Sequence, residues 1–287
     1  MISIRPCAVI FATLWLGAAA ESGTVSAQET PGPVTLRLGG APGRVLPYEH
    51  VKRLSFQLPD QLGGRATTRT VLRLDQEIES RGPDSIVVVS ELREFRFDVD
   101  PRPEELPDLS RLEGFRFRST ATPSGRIYRI EIEGASGPAE KQSRDQVETW
   151  LRELGFPALL PGPARVGDSW TDTTRVPLAA LLGLQGEGEA VEVRTTTLAR
   201  IDAERGVPTA RLVVETRWTD AGESPAPEVR IRGSSSQTAR FDIREGVFVD
   251  SRGTSRIRVE IASASGSPPL EIEAEGSYET RLVQPDR

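Results

Sequence analysis

Few residues in this chain have the types that could start chemistry. Ser169 stands in the stretch Pro163–Thr173, PARVGDSWTDT, between Asp168 and Trp170. A serine nucleophile needs a base, nearly always histidine, and an acid to orient that base. His50, in LPYEHVKR, is the one histidine available. Ser169 does not sit in a G-x-S-x-G elbow, and the following WTDTTRVPL reads as a strand. Gly167-Asp168 reads as a turn pair, because glycine accepts a positive φ and aspartate bonds local backbone. Val166, Gly167, Asp168, Ser169 and Trp170 are therefore expected to form a structural motif. In it a turn hands over to a strand whose large apolar anchor is Trp170. No catalytic residue is assigned.

Other constellations point to no chemistry either. One histidine and one cysteine, Cys7, exclude the common zinc sites. The stretch DVDPRPEELPD places Asp98, Asp100, Glu104, Glu105 and Asp108 close together. It lacks EF-hand spacing and a glycine turn, so it reads as a solvated acidic loop. LQGEGEA is glycine-rich but acidic and precedes a strand, unlike a phosphate cradle. Carboxylate pairs suited to glycoside cleavage cannot be singled out, since nearly every strand offers candidates on its wet face. No metal and no cofactor is expected. All basic residues but Lys52 and Lys141 are arginine, interleaved with glutamate in a chain of net charge −6. Such alternation builds no basic field, so no nucleic-acid partner is expected.

The first residues point to a compartment. Arg5 precedes an apolar run from Cys7 to Ala20, and Val25-Ser26-Ala27 fits the small-x-small cleavage rule. The run is shorter than the roughly 20 residues of a membrane span. Residues 1–27 are expected to be a cleaved secretory signal, leaving a protein exported to the periplasm or the extracellular space. Cys7 lies at the start of the run rather than after it, so no lipid anchor is expected, and no transmembrane anchor remains after cleavage. The mature chain then has no cysteine, and its stability must come from its core.

The elements that position these residues alternate with period two. FRFDVD sets Phe95, Phe97 and Val99 opposite Arg96, Asp98 and Asp100. RIRVEIAS, LEIEAEGSYE and ARLVVETRW repeat the pattern. Such runs are half-buried antiparallel strands with one wet face, roughly ten of them, and their wet faces can pair arginine with glutamate across the ladder. Turn signals at Gly82-Pro83-Asp84, Pro123-Ser124-Gly125, Glu204-Arg205-Gly206 and Arg244-Glu245-Gly246 join neighbours as hairpins, giving a meander. One stretch departs from this. Val147, Trp150, Leu151 and Leu154 fall at helical spacing, with a capping box at Ser143 and Gln146 and with Gly155 and Pro157 beyond. This predicts a central amphipathic helix over Ser143–Leu154, with a poorer candidate at Leu178–Leu184. Trp150 and Trp170 are expected to meet under the sheet.

The expected fold is mainly β. It is a curved antiparallel meander sheet, half-barrel or barrel-like, with one central amphipathic helix. Residues 28–140 and 161–287 form two meanders, a weak duplication sharing one fold unit, joined by a helix and loop over 141–160. The segment LPGPARVGDSWTDT, Leu160–Thr173, resembles a recurring element of uncharacterised exported bacterial β-rich proteins. TPSGRIYRIEIEG and ARFDIREGVFVDSRG agree loosely. These proteins are similar in outline to the half-barrels of periplasmic lipoprotein carriers. The resemblance implies membership and fold, and no chemistry. Three functions remain open. The first is a non-enzymatic envelope protein binding a lipid-like apolar ligand, or another envelope component, in a concave sheet. The second is a structural or protein-interaction module without a pocket, and the third is a hydrolase with an unrecognised site. Ligand-binding residues are not assigned.

Overall fold

The computed structural model describes residues 32–58, 64–101, 113–133, 147, 151, 154, 156–177, 189–204, 206–221, 229–262 and 269–283. The chain divides into two units at Thr30 and Pro31, and the described residues all belong to the second. The expected signal, residues 1–27, lies outside them.

The described elements are thirteen strands. They are β1 (Val34–Thr35), β2 (Val45–Gln57), β3 (Arg65–Arg81), β4 (Ile86–Asp100), β5 (Arg116–Ala121), β6 (Ile127–Ile132), β7 (Pro163–Ala164), β8 (Ser169–Pro177), β9 (Glu189–Glu204), β10 (Val207–Asp220), β11 (Val229–Asp242), β12 (Val247–Ile261) and β13 (Leu270–Leu282). β1 and β7 form a small ribbon. The other eleven form one antiparallel sheet in the order β6-β5-β4-β3-β2-β13-β12-β11-β10-β9-β8. Two meanders, β2–β6 and β8–β13, thus meet where β13 pairs with β2.

The sheet is strongly curled. Laid flat, with about 4.8 Å per strand, it would separate β6 from β8 by about 48 Å. Instead Arg126, beside β6, bonds Asp172 of β8 at 2.6 Å. The outer face carries the expected cross-strand ion pairs. Arg281, Glu49, Arg73 and Glu94 form a ladder across β13, β2, β3 and β4. Arg256 bonds Glu275 at 2.5 Å across β12 and β13. Most such pairs are exposed, so each contributes about 0–1 kcal/mol.

The expectation of a central helix is corrected by this architecture. No helix is among the described elements, and the concave face is built and filled by strands and an irregular strap. In Ser143–Leu154 only Val147, Leu151 and Leu154 are described, the first two with helical backbone geometry. The spacing that predicts a helix marks side chains that must be buried: Val147 and Leu154 are buried among Leu72, Leu74, Leu92 and Phe117, and Leu151 packs partly buried against them. Burial of these anchors does not require them to lie on a continuous helix. The candidate at Leu178–Leu184, and Trp150, lie outside the described residues.

Leu154 and the strap over 156–160 fill one end of the curl. Phe156 packs against three core clusters. Its ring stacks on Phe248 at 4.5 Å and meets Tyr48 edge-on at 5.1 Å. Leu154 and the strap are bonded to the sheet at three places. Thr280 donates to the Leu154 carbonyl at 2.7 Å, Leu159 N–H donates to Ser124 O at 2.7 Å, and Trp170 Nε1–H donates to Ala158 O at 2.8 Å. These bonds satisfy backbone groups that would otherwise be buried without partners.

Candidate functional site: the concave face and the gap between its edges

Strand register sorts the concave face into rows, because directly paired residues point to the same side. The row at the filled end runs Leu72, His50, Thr280, Ser251, Ala239, Leu212, Leu198. The next row is polar at its centre: Lys52, Tyr278, Gly253 and Gln237. Tyr278 Oη donates to Gln237 Oε1 at 2.8 Å, and Gln237 Nε2 donates to Ser251 Oγ at 3.0 Å. Burial raises the Tyr278 pKa, so the phenol stays protonated and can keep donating. A third row holds Gly276, Ser255, Ser235, Thr216, Arg194 and Asp172. Beyond it the face turns apolar again, with Phe56, Ala274, Ile257 and Trp218, and then Ile272, Val259 and Ile231. Phe56, Ile257 and Ile272 are only half-buried.

Small residues in the middle rows let the sheet bend. A Cβ on Gly253 would sit 2.6 Å from the Tyr278 ring and 2.7 Å from Ser236 O. A Cβ on Gly276 would lie 2.3 Å from Leu54 Cδ2 and 2.5 Å from Arg53 O. Glycine in a strand interior weakens it, and its use here marks close backbone approach at the bend.

A second feature opens sideways. Between β6 and β8 lies a cavity of about 850 Å³. Ile130, Ile132, Leu151 and Phe156 line one side, and Asp172, Thr174, Glu192 and Arg194 the other. Glu192 is buried yet satisfied: Trp218 Nε1–H donates to it at 2.9 Å and Arg194 pairs with it at 3.1 Å. Both oxygens of this buried carboxylate thus have donors, one neutral and one charged.

The residues singled out in the sequence are not brought together. Gly167 has φ +97°, and the Asp168 carboxylate accepts Arg165 N–H at 2.8 Å. Gly167 N–H bonds Leu198 O at 2.8 Å and Leu198 N–H bonds Asp168 O at 2.9 Å, so the turn is stitched to β9. Val166 is half-buried beside it. Ser169 is exposed on the outer face and bonds Thr197 Oγ1 at 2.7 Å. Trp170 points inward. His50 is fully buried on the concave face, its Nδ1 2.9 Å from Thr280 Oγ1. The one hydroxyl proton of Thr280 goes to Leu154 O, so Nδ1 must be the donor in that contact. Ser169 and His50 thus face opposite sides of the sheet and form no nucleophile–base pair. Asp98 and Asp100 end β4, while Glu104, Glu105 and Asp108 lie outside the described residues. No cluster of metal-binding side chains occurs among the described residues. The concave rows themselves carry no motif in the sequence. They become visible only once register aligns Gly276, Ser255 and Ser235 from three strands.

No family model matches the chain, and no curated protein matches it. Among solved structures it overlays on "Lipid-protein interactions in lipovitellin", with a TM-score of 0.47 and 11% identity. The overlay covers 86% of this chain and 26% of that one, so the chain spans about a quarter of the lipovitellin length. A likeness this loose carries no inference about ligand or activity.

Proposed function

We propose that this protein is an exported, non-enzymatic binding protein that holds a lipid-like apolar ligand on the concave face of its sheet. The observation that carries this reading is the division of that face. One end is filled by the strap and by Phe156, whereas at the other end Phe56 and Ile272 are half-buried apolar side chains outside the described core clusters, and half-buried Ile257 packs only against the small cluster of Ala190 and Ile231. An apolar chain laid there would remove that surface from water at about 25 cal/mol per Å². Its polar end would meet the hydroxyls of Ser255, Ser235 and Thr216. Export rests on the cleavable pattern ending at Ala27.

The test is lipid extraction and mass spectrometry on protein purified without detergent. It is paired with saturable uptake of a fluorescent fatty acid by lipid-stripped protein. Co-purifying lipid and saturable uptake, both reduced in Ile257→Asp with the far-ultraviolet spectrum unchanged, are the expected results. No lipid and no saturable uptake would leave the interaction-module reading in place.

A further inference from the structure

We propose that the gap between β6 and β8 is a docking slot for an extended polypeptide segment of a partner protein, which enters antiparallel to both edges and completes the sheet as a twelfth strand. This goes beyond the lipid reading and does not depend on it, because the slot lies at the sheet edges rather than on the far rows of the concave face.

Strand direction is the first argument. All neighbours in the sheet are antiparallel, so strands an even number of places apart run the same way. β6 is first and β8 eleventh, so they run in the same direction. Pairing them directly would create a parallel seam in an otherwise antiparallel sheet. One inserted strand, antiparallel to each, continues the alternation around the curl. The second argument is width. One inserted strand needs about 10 Å between its neighbours, two strand spacings. The Arg126–Asp172 bond, a long side chain beside β6 meeting a short one on β8 at 2.6 Å, keeps the two edges within the combined reach of two side chains.

Backbone accounting supplies the third. Among the described residues, β6 pairs only with β5, and β8 only with β9. No described residue bonds the groups that these strands turn away from β5 and β9, so among the described residues each edge is a template for another strand. An acyl chain in the slot would leave both edges unpaired, whereas a peptide bonds both. The fourth argument is the surface of β6. Ile127 is 38% and Tyr128 60% exposed, two consecutive members of a short set of exposed large hydrophobics. With Ile130, Ile132, Leu151 and Phe156 on that side of the cavity, they select a partner segment of about six residues, the length of β6. It would be free of proline and apolar at alternate positions.

The probe is a fluorescein-labelled peptide alternating threonine and valine, titrated into the full mature chain after lipid stripping. Saturable anisotropy is expected. N-methylation of the odd amides, and separately of the even amides, should each weaken binding at least tenfold, because each set faces one edge. Tyr128→Ser should weaken binding about tenfold with unchanged melting, and Tyr128→Phe should bind as the parent does. Hydrogen exchange should slow at residues 127–132 and 171–174 on peptide addition. Absence of saturable binding would overturn the proposal. So would indifference to N-methylation, sensitivity of one amide set alone, or protection elsewhere. Protection of β6 by self-association without peptide would also overturn it, since the occupant would then be a second copy.

Discussion

Glu49 shows how a single charge is fixed on the outer face. It is 8% exposed, and it accepts Arg73 Nε–H at 2.9 Å and Arg281 Nη2–H at 2.6 Å. Burial pushes its carboxyl up, but the bonds and charges of the two arginines outweigh burial and hold the pKa below its ordinary value. A carboxyl depressed in the fold stabilises fully above its unfolded pKa of about 4.3, and the stabilisation is lost as pH falls through the folded value. Glu49→Gln should cost about 1–2 kcal/mol at pH 7, the lower part of the range for charged hydrogen bonds, because both arginines are half-exposed. Urea unfolding at pH 7, 4 and 3 should show the gap between variant and parent closing toward acid, and a constant gap would refute the assignment. The GDSW residues separate in the same way. Trp170→Ala removes a core contact and the bond to Ala158 O, and should cost about 3 kcal/mol. Ser169→Ala, on the exposed side of the same strand, should change the urea midpoint within about 0.5 kcal/mol.

Elements were readable where apolar and polar residues alternate and hidden where the fold needs something else. The turns at 82–84, 123–125 and 244–246 fall between the strands observed, and Gly206 lies between β9 and β10, because glycine and proline mark turns irrespective of tertiary context. β2 gave no strand signal. It contains Pro47, and its concave positions include His50 and Lys52, so alternation in polarity fails although alternation in direction holds. β11 was visible only near its end, because Gly233, Ser235 and Gln237 face inward where apolar residues would be expected. The bend demands small side chains there. The helical spacing around Val147 records burial under the sheet rather than an element of the described fold. Gly253→Val tests the bend. The new Cβ must displace either the Tyr278 ring or the Ser236 carbonyl, so the cost should be about 1–3 kcal/mol. Adding Tyr278→Ala should recover part of it, giving a coupling of at least about 0.5 kcal/mol in a double-mutant cycle. Strict additivity would show that the ring does not set the curvature.

At the scale of the whole molecule, the two meanders share a seam and a plug. His50 pairs with Thr280, so the seam between β2 and β13 joins residues from opposite ends of the described chain. Phe156 touches core clusters built from both meanders. Neither meander can therefore lose its packing without exposing the other's, and the described chain should unfold as one cooperative unit. In a chain carrying Trp150→Phe and lacking residues 1–27, which hold Trp15, fluorescence comes from Trp170 in β8 and Trp218 in β10, whereas far-ultraviolet circular dichroism reports on every strand. The two signals should give coincident urea transitions in that chain. Phe156→Ala removes the ring stacked on Phe248 and should lower stability by about 3–4 kcal/mol, shifting both transitions together. A fluorescence transition that stays in place while the dichroism transition moves would mean that the meanders are independent, and that the curl is set by each separately rather than by the residue between them.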